Sequence, residues 1–171
     1  LIIHLGMSGR IIIGKKKEIK SIKHTHFQLH FSNDLLLQFI DPRRFGCILL
    51  RETSKLLEER LLKYLGVEPL DKSFNHKYLH EIASNKTSPI KSIIMNQKYV
   101  VGVGNIYASE SLFLSNISPF KIGSKLTLSE SDRLVRSIKR VLKKSIQMGG
   151  SSINDHTMIS GKLGHYQNKL Q

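Results

Sequence analysis

The sequence predicts an α+β fold, with a sheet region over residues 1–53 and a helical region over 54–171. Three observations carry this. Phe27, Leu29 and Phe31 alternate with polar residues, the period of two expected of a half-buried strand. From residue 54 the apolar spacing becomes three and four, the period of a helix lying on a core. The segment from Thr127 to Ile146 keeps that helical period longest and opens on its own cap signal.

In chain order, the strand through Phe27–Phe31 meets Asn33-Asp34, residues that favour turns. Leu35-Leu36-Leu37-Gln38-Phe39-Ile40 then follows as its hairpin partner. Cys47 to Leu50 is a further short strand, and Lys15-Lys16-Lys17 a solvated loop after Gly14. Leu57, Leu61, Leu62 and Leu65 predict a first helix stopped by Gly66. Phe74, Tyr78, Leu79 and Ile82 form the apolar face of a second. Ser88 is expected to cap a third, with Pro89 in its first turn and Ile90, Ile93 and Ile94 inward. Thr127-Leu128-Ser129-Glu130 is a capping box for the last helix. Its stripe is Leu134, Ile138, Val141, Leu142 and Ile146, with Arg133, Arg136, Arg140 and Lys144 opposite. A charged helix face can be simply solvated or can meet an anionic partner. Gly149-Gly150 ends that helix, and the polar stretch after it reads as a loop able to close over a ligand.

Composition narrows the partner. Lys and Arg total 27 against 13 Asp and Glu, a formal charge of +14. With a pI near 10.0, this is the footprint of a protein that binds phosphate polymers. A merely basic soluble protein is the plainer alternative. No run is apolar enough to span a membrane. The single cysteine, Cys47, excludes an internal disulfide framework and a cysteine-based zinc site within the chain. It reads as strand filler.

Two short segments carry the chemistry. His4-Leu5-Gly6-Met7-Ser8-Gly9 and Asp41-Pro42-Arg43-Arg44-Phe45-Gly46 each put bulky probes on a glycine-flanked turn: Met7 in the first, Arg43 and Phe45 in the second. Opening a DNA duplex needs an apolar wedge and a planar donor to support the widowed base. Met7 as a core plug is the alternative. A third segment, Val101-Gly102-Val103-Gly104-Asn105, leads into a helix whose exposed N–H groups suit an anion. It lacks the preceding strand and third glycine of a dinucleotide fingerprint, so a nucleic-acid phosphate is the better ligand. An ordinary helix-entry turn is the alternative reading. His24 and His26 are expected to share one strand face, where they could equally be surface residues.

These segments, in this order and with Gly149-Gly150-Ser151-Ser152 after them, resemble the formamidopyrimidine-DNA glycosylases, bacterial enzymes that excise 8-oxoguanine and ring-opened purines. The resemblance covers nearly the whole chain. It implies an incomplete N-terminal β-sandwich over 1–53, the C-terminal part of a catalytic domain. It implies a helix–two-turns–helix DNA-binding domain over 54–171, ending in the lesion-capping loop. Met7, Arg43 and Phe45 resemble the triad that fills the gap left by the flipped nucleotide, and Asn105 the phosphate-binding asparagine. His24, Lys86 and Lys91 match positions that contact DNA near the lesion, and Gly149, Gly150, Ser151 and Ser152 the loop over the everted purine.

The family's nucleophile, an N-terminal proline amine with an adjacent glutamate, matches nothing here, so no catalytic residue is expected within the chain. The four cysteines that hold the family's zinc ion are likewise expected beyond Gln171. Val67 stands where the family usually has proline. The chain starts inside the apolar run Leu1-Ile2-Ile3 and stops at Gln171 without a helix stop. Both ends read as cuts in a longer polypeptide, with a genuinely short protein as the alternative. The resemblance further implies a monomer acting on double-stranded DNA with an oxidised base, in the cytoplasm at the nucleoid, with no membrane partner. A non-catalytic DNA-binding remnant and an endonuclease VIII-type enzyme for oxidised pyrimidines stay open, although Arg43-Arg44-Phe45 argues against the second.

Overall fold

The computed structural model describes residues 1–20 and 22–150. The chain forms two compact units, Leu1–Leu56 and Leu57–Ile146.

The first unit contains two antiparallel sheets. Strands β1 (Ile2–His4) and β5 (Cys47–Leu49) pair with Ile3 opposite Ile48. The other sheet has the order β2-β4-β3, from β2 (Arg10–Lys15), β3 (Thr25–His30) and β4 (Leu35–Ile40). The expected hairpin is present, Leu29 facing Leu37. Its turn places Asp34 at φ 65, a left-handed conformation that Asp tolerates better than most side chains. β4 is the central strand, so its burial is nearly continuous rather than alternating. Edge strand β3 keeps its alternation, Phe27 and Leu29 inward and His26, Gln28 and His30 outward.

The expected first helix is broken. Thr53–Glu58 is a 3₁₀ helix and only Arg60–Lys63 (α1) is α-helical. Glu59 stands between them in an extended conformation, its carboxylate accepting from the Arg60 N–H at 3.0 Å. The leucine stripe therefore does not face a core: Leu57 is 85% exposed. Nor does Gly66 act through a left-handed φ. A Cβ there would lie 2.3 Å from the Tyr99 carbonyl carbon, so Gly66 is needed where two backbone segments touch. Its N–H donates to the Gln97 carbonyl at 2.8 Å.

The second unit is helical: α2 (His76–Ser84), α3 (Ile90–Ile94), α4 (Asn105–Leu114) and α5 (Leu128–Gln147). Asn75 caps α2, its Oδ1 accepting from the N–H groups of Lys77 and Tyr78. Pro89, not Ser88, occupies the cap of α3, without a side-chain bond. The Ser88 carbonyl instead accepts from the Gly123 N–H, stitching residues 88–90 to 121–123. Phe74, Leu79, Ile90, Ile93, Ile94, Leu112, Leu134 and Ile138 form the core. The capping box of α5 is complete. Glu130 accepts from the N–H and hydroxyl of Thr127, and Thr127 Oγ1 accepts from the Glu130 N–H. Lys121 Nζ reaches the other carboxylate oxygen at 2.7 Å. These bonds, Lys121 first, hold the Glu130 carboxyl below its ordinary range. Ile146, expected inward, is 66% exposed, because the stripe leaves the core after Leu142 and Ser145. Gly149 and Gly150 follow the helix at φ 75 and 91, the left-handed stop expected of them.

Candidate nucleic-acid interface

The two probe-bearing turns of the first unit are clamped to one another. Asp41 is buried at the end of β4, and both its oxygens are bonded. Oδ1 accepts from the hydroxyl of buried Ser8 at 2.7 Å, and Oδ2 from the Gly46 N–H at 2.7 Å. The Arg43 N–H donates to Ser8 Oγ at 3.2 Å. One carboxylate thus ties residue 8 of the first turn to both ends of the second. The backbones also touch: a Cβ on Gly6, at φ 63, would lie 2.8 Å from the Phe45 carbonyl carbon. A Cβ on Gly46 would lie 2.6 Å from the His4 carbonyl oxygen. Side chains at either glycine would push the turns apart.

The Ser8 hydroxyl and then the Gly46 N–H, helped by main-chain bonds from Arg43 and Arg44, stabilise the Asp41 carboxylate and outweigh its burial, so its pKa falls below the ordinary 3.8. Such a group contributes stability above its unfolded pKa and loses it as pH falls through the lower folded value. The bonds of the clamp therefore favour the ionised carboxylate, which is the form present at neutral pH.

What the clamp holds out is apolar and cationic. Met7 is 62% exposed and Phe45 56% exposed, which removes the core-plug reading of Met7. The Arg43 guanidinium lies 4.8 Å from the centre of the Phe45 ring, a cation–π contact that presents both groups together. Arg44 adopts φ 58, an uncommon conformation that turns the chain between them. Large apolar side chains exposed on a fixed support mark an interaction surface.

The histidines do not share a strand face. His24 precedes β3 on a turn at φ 68, where its carbonyl accepts from the Asp41 N–H. His26 lies on β3 with Nε2 2.9 Å from the Asp41 carbonyl oxygen. A carbonyl only accepts, so this nitrogen carries the proton. His24 and His26 thus bracket the backbone of Asp41, the residue that holds the turns.

In the second unit, Lys91 and Asn105 line one open groove of about 960 Å³ with Ser109, Glu110, Phe113 and Asn116. Gly104 is the cap of α4, with no side-chain bond, and Asn105 is its exposed first helical residue. Gly102 at φ 71 makes the preceding turn. Lys86 lies apart from the groove lining, its Nζ 5.4 Å from the centre of the Tyr99 ring. Gly149 and Gly150 end α5, whereas Ser151 and Ser152 lie outside the described residues. Because Asn105 does not cap its helix, Asn105→Ala should leave the melting temperature nearly unchanged. It should weaken damaged and undamaged duplexes alike, by about 1–3 kcal/mol for one bond to a charged group. Titration of both duplexes beside a thermal melt checks this.

The sequence put Met7, Arg43 and Phe45 on glycine-flanked turns, where they stand exposed, but did not show what holds them. Ser8 and Asp41 were visible within the two motifs, but no local pattern announces a bond between residues 33 apart.

A sheet unit with Met7, Arg43 and Phe45 exposed on two clamped turns thus precedes a helical unit in which a turn at Gly102 leads to the exposed start of α4. The chain matches two family models, the formamidopyrimidine-DNA glycosylase N-terminal domain over residues 1–48 and the H2TH domain of the same glycosylases over 65–157. It belongs to the formamidopyrimidine-DNA glycosylase family. Among curated relatives it is 46% identical over 171 residues to the formamidopyrimidine-DNA glycosylase of Escherichia coli (strain 55989 / EAEC), covering 100% of this chain and 62% of that protein. To that of Hydrogenovibrio crunogenus it is 46% identical over 170 residues, covering 99% and 60%. The chain thus spans about three-fifths of the length of the curated relatives it matches. Among solved structures it is similar to a Lactococcus lactis FPG mutant in complex with Fapy-dG-containing DNA, with TM-score 0.87 and 35% identity, covering 99% of this chain and 61% of that one. It is also similar to MutM in complex with DNA containing carbocyclic 8-oxo-G, with TM-score 0.85 and 36% identity, again covering 99% and 61%.

Proposed function

We propose that this chain supplies the duplex-probing and phosphate-holding parts of a base-excision repair glycosylase and AP lyase acting on oxidised purines. The observation that carries it is the Asp41–Ser8 clamp, which presents Met7, Arg43 and Phe45 as one rigid exposed group. Phe45 wedges into the base stack, Met7 fills the space of the everted nucleotide, and Arg43 donates to the widowed base. Asn105 and Lys91 hold backbone phosphate, which positions the duplex without reading sequence. Solved relatives bound to Fapy-dG and 8-oxo-G DNA support this choice of lesion.

The chemistry of such an enzyme is attack of an amine on the sugar C1′, release of the base, and elimination from the resulting Schiff base. No residue of this chain matches the family's proline nucleophile, so the amine is assigned outside these 171 residues. The zinc site does not fit here either. Cys47 is the single cysteine, and among the described residues no three His, Cys, Asp or Glu side chains gather as ligands. No helix among them is long and apolar enough to cross a membrane.

The 171-residue chain should bind undamaged duplex with Kd of roughly 10⁻⁴ to 10⁻⁶ M at physiological salt, and more weakly as salt rises. A duplex with one 8-oxoguanine·cytosine pair should bind more tightly, without borohydride trapping a covalent adduct. Trapping would place the nucleophile inside the chain, and equal affinity for both duplexes would contradict lesion probing.

A further inference from the structure

The turn that bears Arg43 and Phe45 leaves the sheet through one peptide group, and that group has one handle. Pro42 has no N–H, so the Asp41–Pro42 peptide can be held only through the Asp41 carbonyl. That oxygen has two partners. The Arg44 N–H donates to it across the turn at 3.3 Å, a long bond. The His26 Nε2–H donates to it from β3 at 2.9 Å. The first bond lies within the turn and moves with it. The second ties the peptide to the neighbouring strand.

The register of β3 explains why His26 is available. Thr25 stands opposite Ile40 and Phe27 opposite Phe39, so His26 is an extra residue without a partner on β4. Such a bulge re-aims a side chain. Just before it, the hydroxyl and N–H of Thr25 donate to the Ile22 carbonyl at 2.7 and 3.1 Å, and His24 turns the chain at φ 68. The two irregularities converge on one residue: Asp41 gives its N–H to the His24 carbonyl at 3.0 Å and its carbonyl to the His26 ring.

We infer that His26 is a positioning residue for lesion recognition: its Nε2–H sets the plane of the Asp41–Pro42 peptide, and so the direction in which Arg43 and Phe45 are presented. This rests on the lesion-probing reading above. The Asp41 carboxylate joins the two turns to each other, whereas His26 sets the angle at which the second turn leaves β4. With the imidazole bond gone, the long Arg44 bond alone holds the carbonyl, and the turn spends less time in the orientation that fits the duplex. Apparent affinity for the damaged pair falls with that fraction. The charge that binds undamaged duplex is untouched.

The test uses the full chain with His26→Phe, which keeps a ring and deletes the donor, and with His26→Gln. The Gln amide nitrogen stands as many bonds from the backbone as Nε2 and restores the donor. His26→Phe should lower the ratio of affinities for 8-oxoguanine and undamaged duplexes about tenfold, the scale of one hydrogen bond left unmade, with undamaged affinity unchanged. His26→Gln should recover most of that ratio. Melting temperatures should differ little, because His26 is exposed. In mildly alkaline buffer, long-range nitrogen–proton spectra of the parent should show His26 as the Nε2–H tautomer. An unchanged ratio in His26→Phe, from a parent that prefers the damaged duplex, overturns the positioning role alone. A parent without that preference overturns the probing reading and this role with it. Equal losses in both variants that follow a lower melting temperature make His26 structural and overturn the proposal. So does weaker binding of both duplexes with a flatter salt dependence, the mark of a phosphate contact, and so does the Nδ1–H tautomer, which removes the bond itself.

Discussion

Replacing Asp41 by alanine should abolish preference for 8-oxoguanine duplex while leaving weak, salt-sensitive DNA binding. Asp41 touches none of the three exposed side chains, yet its carboxylate joins Ser8 to Gly46, and Ser8 in turn holds the Arg43 N–H. Without it the Ser8 hydroxyl and the Gly46 N–H lose their acceptor, and both turns lose their mutual reference. A displacement of about 1 Å is enough to spoil a recognition geometry that depends on fixed probes. The basic surface is untouched, so non-specific affinity persists. Ser8→Ala should act in the same direction but less severely, because the Gly46 bond remains. The same logic sets the pH dependence. The lowered Asp41 pKa means that the clamp's contribution to lesion preference should be lost only as pH drops below the unfolded value near 3.8 and through the lower folded value. Affinity ratios for the two duplexes, measured for both variants and across pH, check this. Retained preference in Asp41→Ala would mean that the turns hold their shape without the clamp.

The second large effect is expected from Phe45→Ala combined with Arg43→Ala. Phe45 is 56% exposed, so its loss removes little core, and the melting temperature should move only slightly. An aromatic ring stacked on a base contributes about 1–3 kcal/mol, and a bidentate arginine contact to a base a similar amount. If both act at the lesion, preference for 8-oxoguanine duplex should fall roughly 10- to 100-fold or more. The two residues touch one another, so their effects should not simply add. A double variant that binds both duplexes like the parent but melts far lower would make the pair structural.

Much of the fold was legible because its signals are local. The Phe27–Phe31 alternation, the Asn33-Asp34 turn and the run from Leu35 to Ile40 specify a hairpin within fourteen residues, and Thr127 with Glu130 specify a helix start within four. The failures have a common cause. Leucines at positions 57, 61 and 65 have helical spacing, but spacing does not say whether a partner surface faces them. Gly66 was read as a helix stop because glycine favours that role, whereas the backbone of Tyr99 excludes a side chain there. Asn105 was read as standing at a helix start, and it is the first residue of α4. The site shows the same division. Met7, Arg43 and Phe45 were readable as bulky residues beside glycines, while the Ser8–Asp41 bond, formed between turns 33 residues apart, depends on tertiary structure.

The two clamped turns are expected to enter the base stack at a damaged pair. The most direct measurement uses a duplex with 2-aminopurine next to the cytosine opposite 8-oxoguanine, titrated with the protein. Insertion of Phe45 unstacks that neighbour, so fluorescence should rise on binding, fail to rise with Phe45→Ala, and stay low on undamaged duplex. Binding to the damaged duplex with no change in fluorescence would contradict the account.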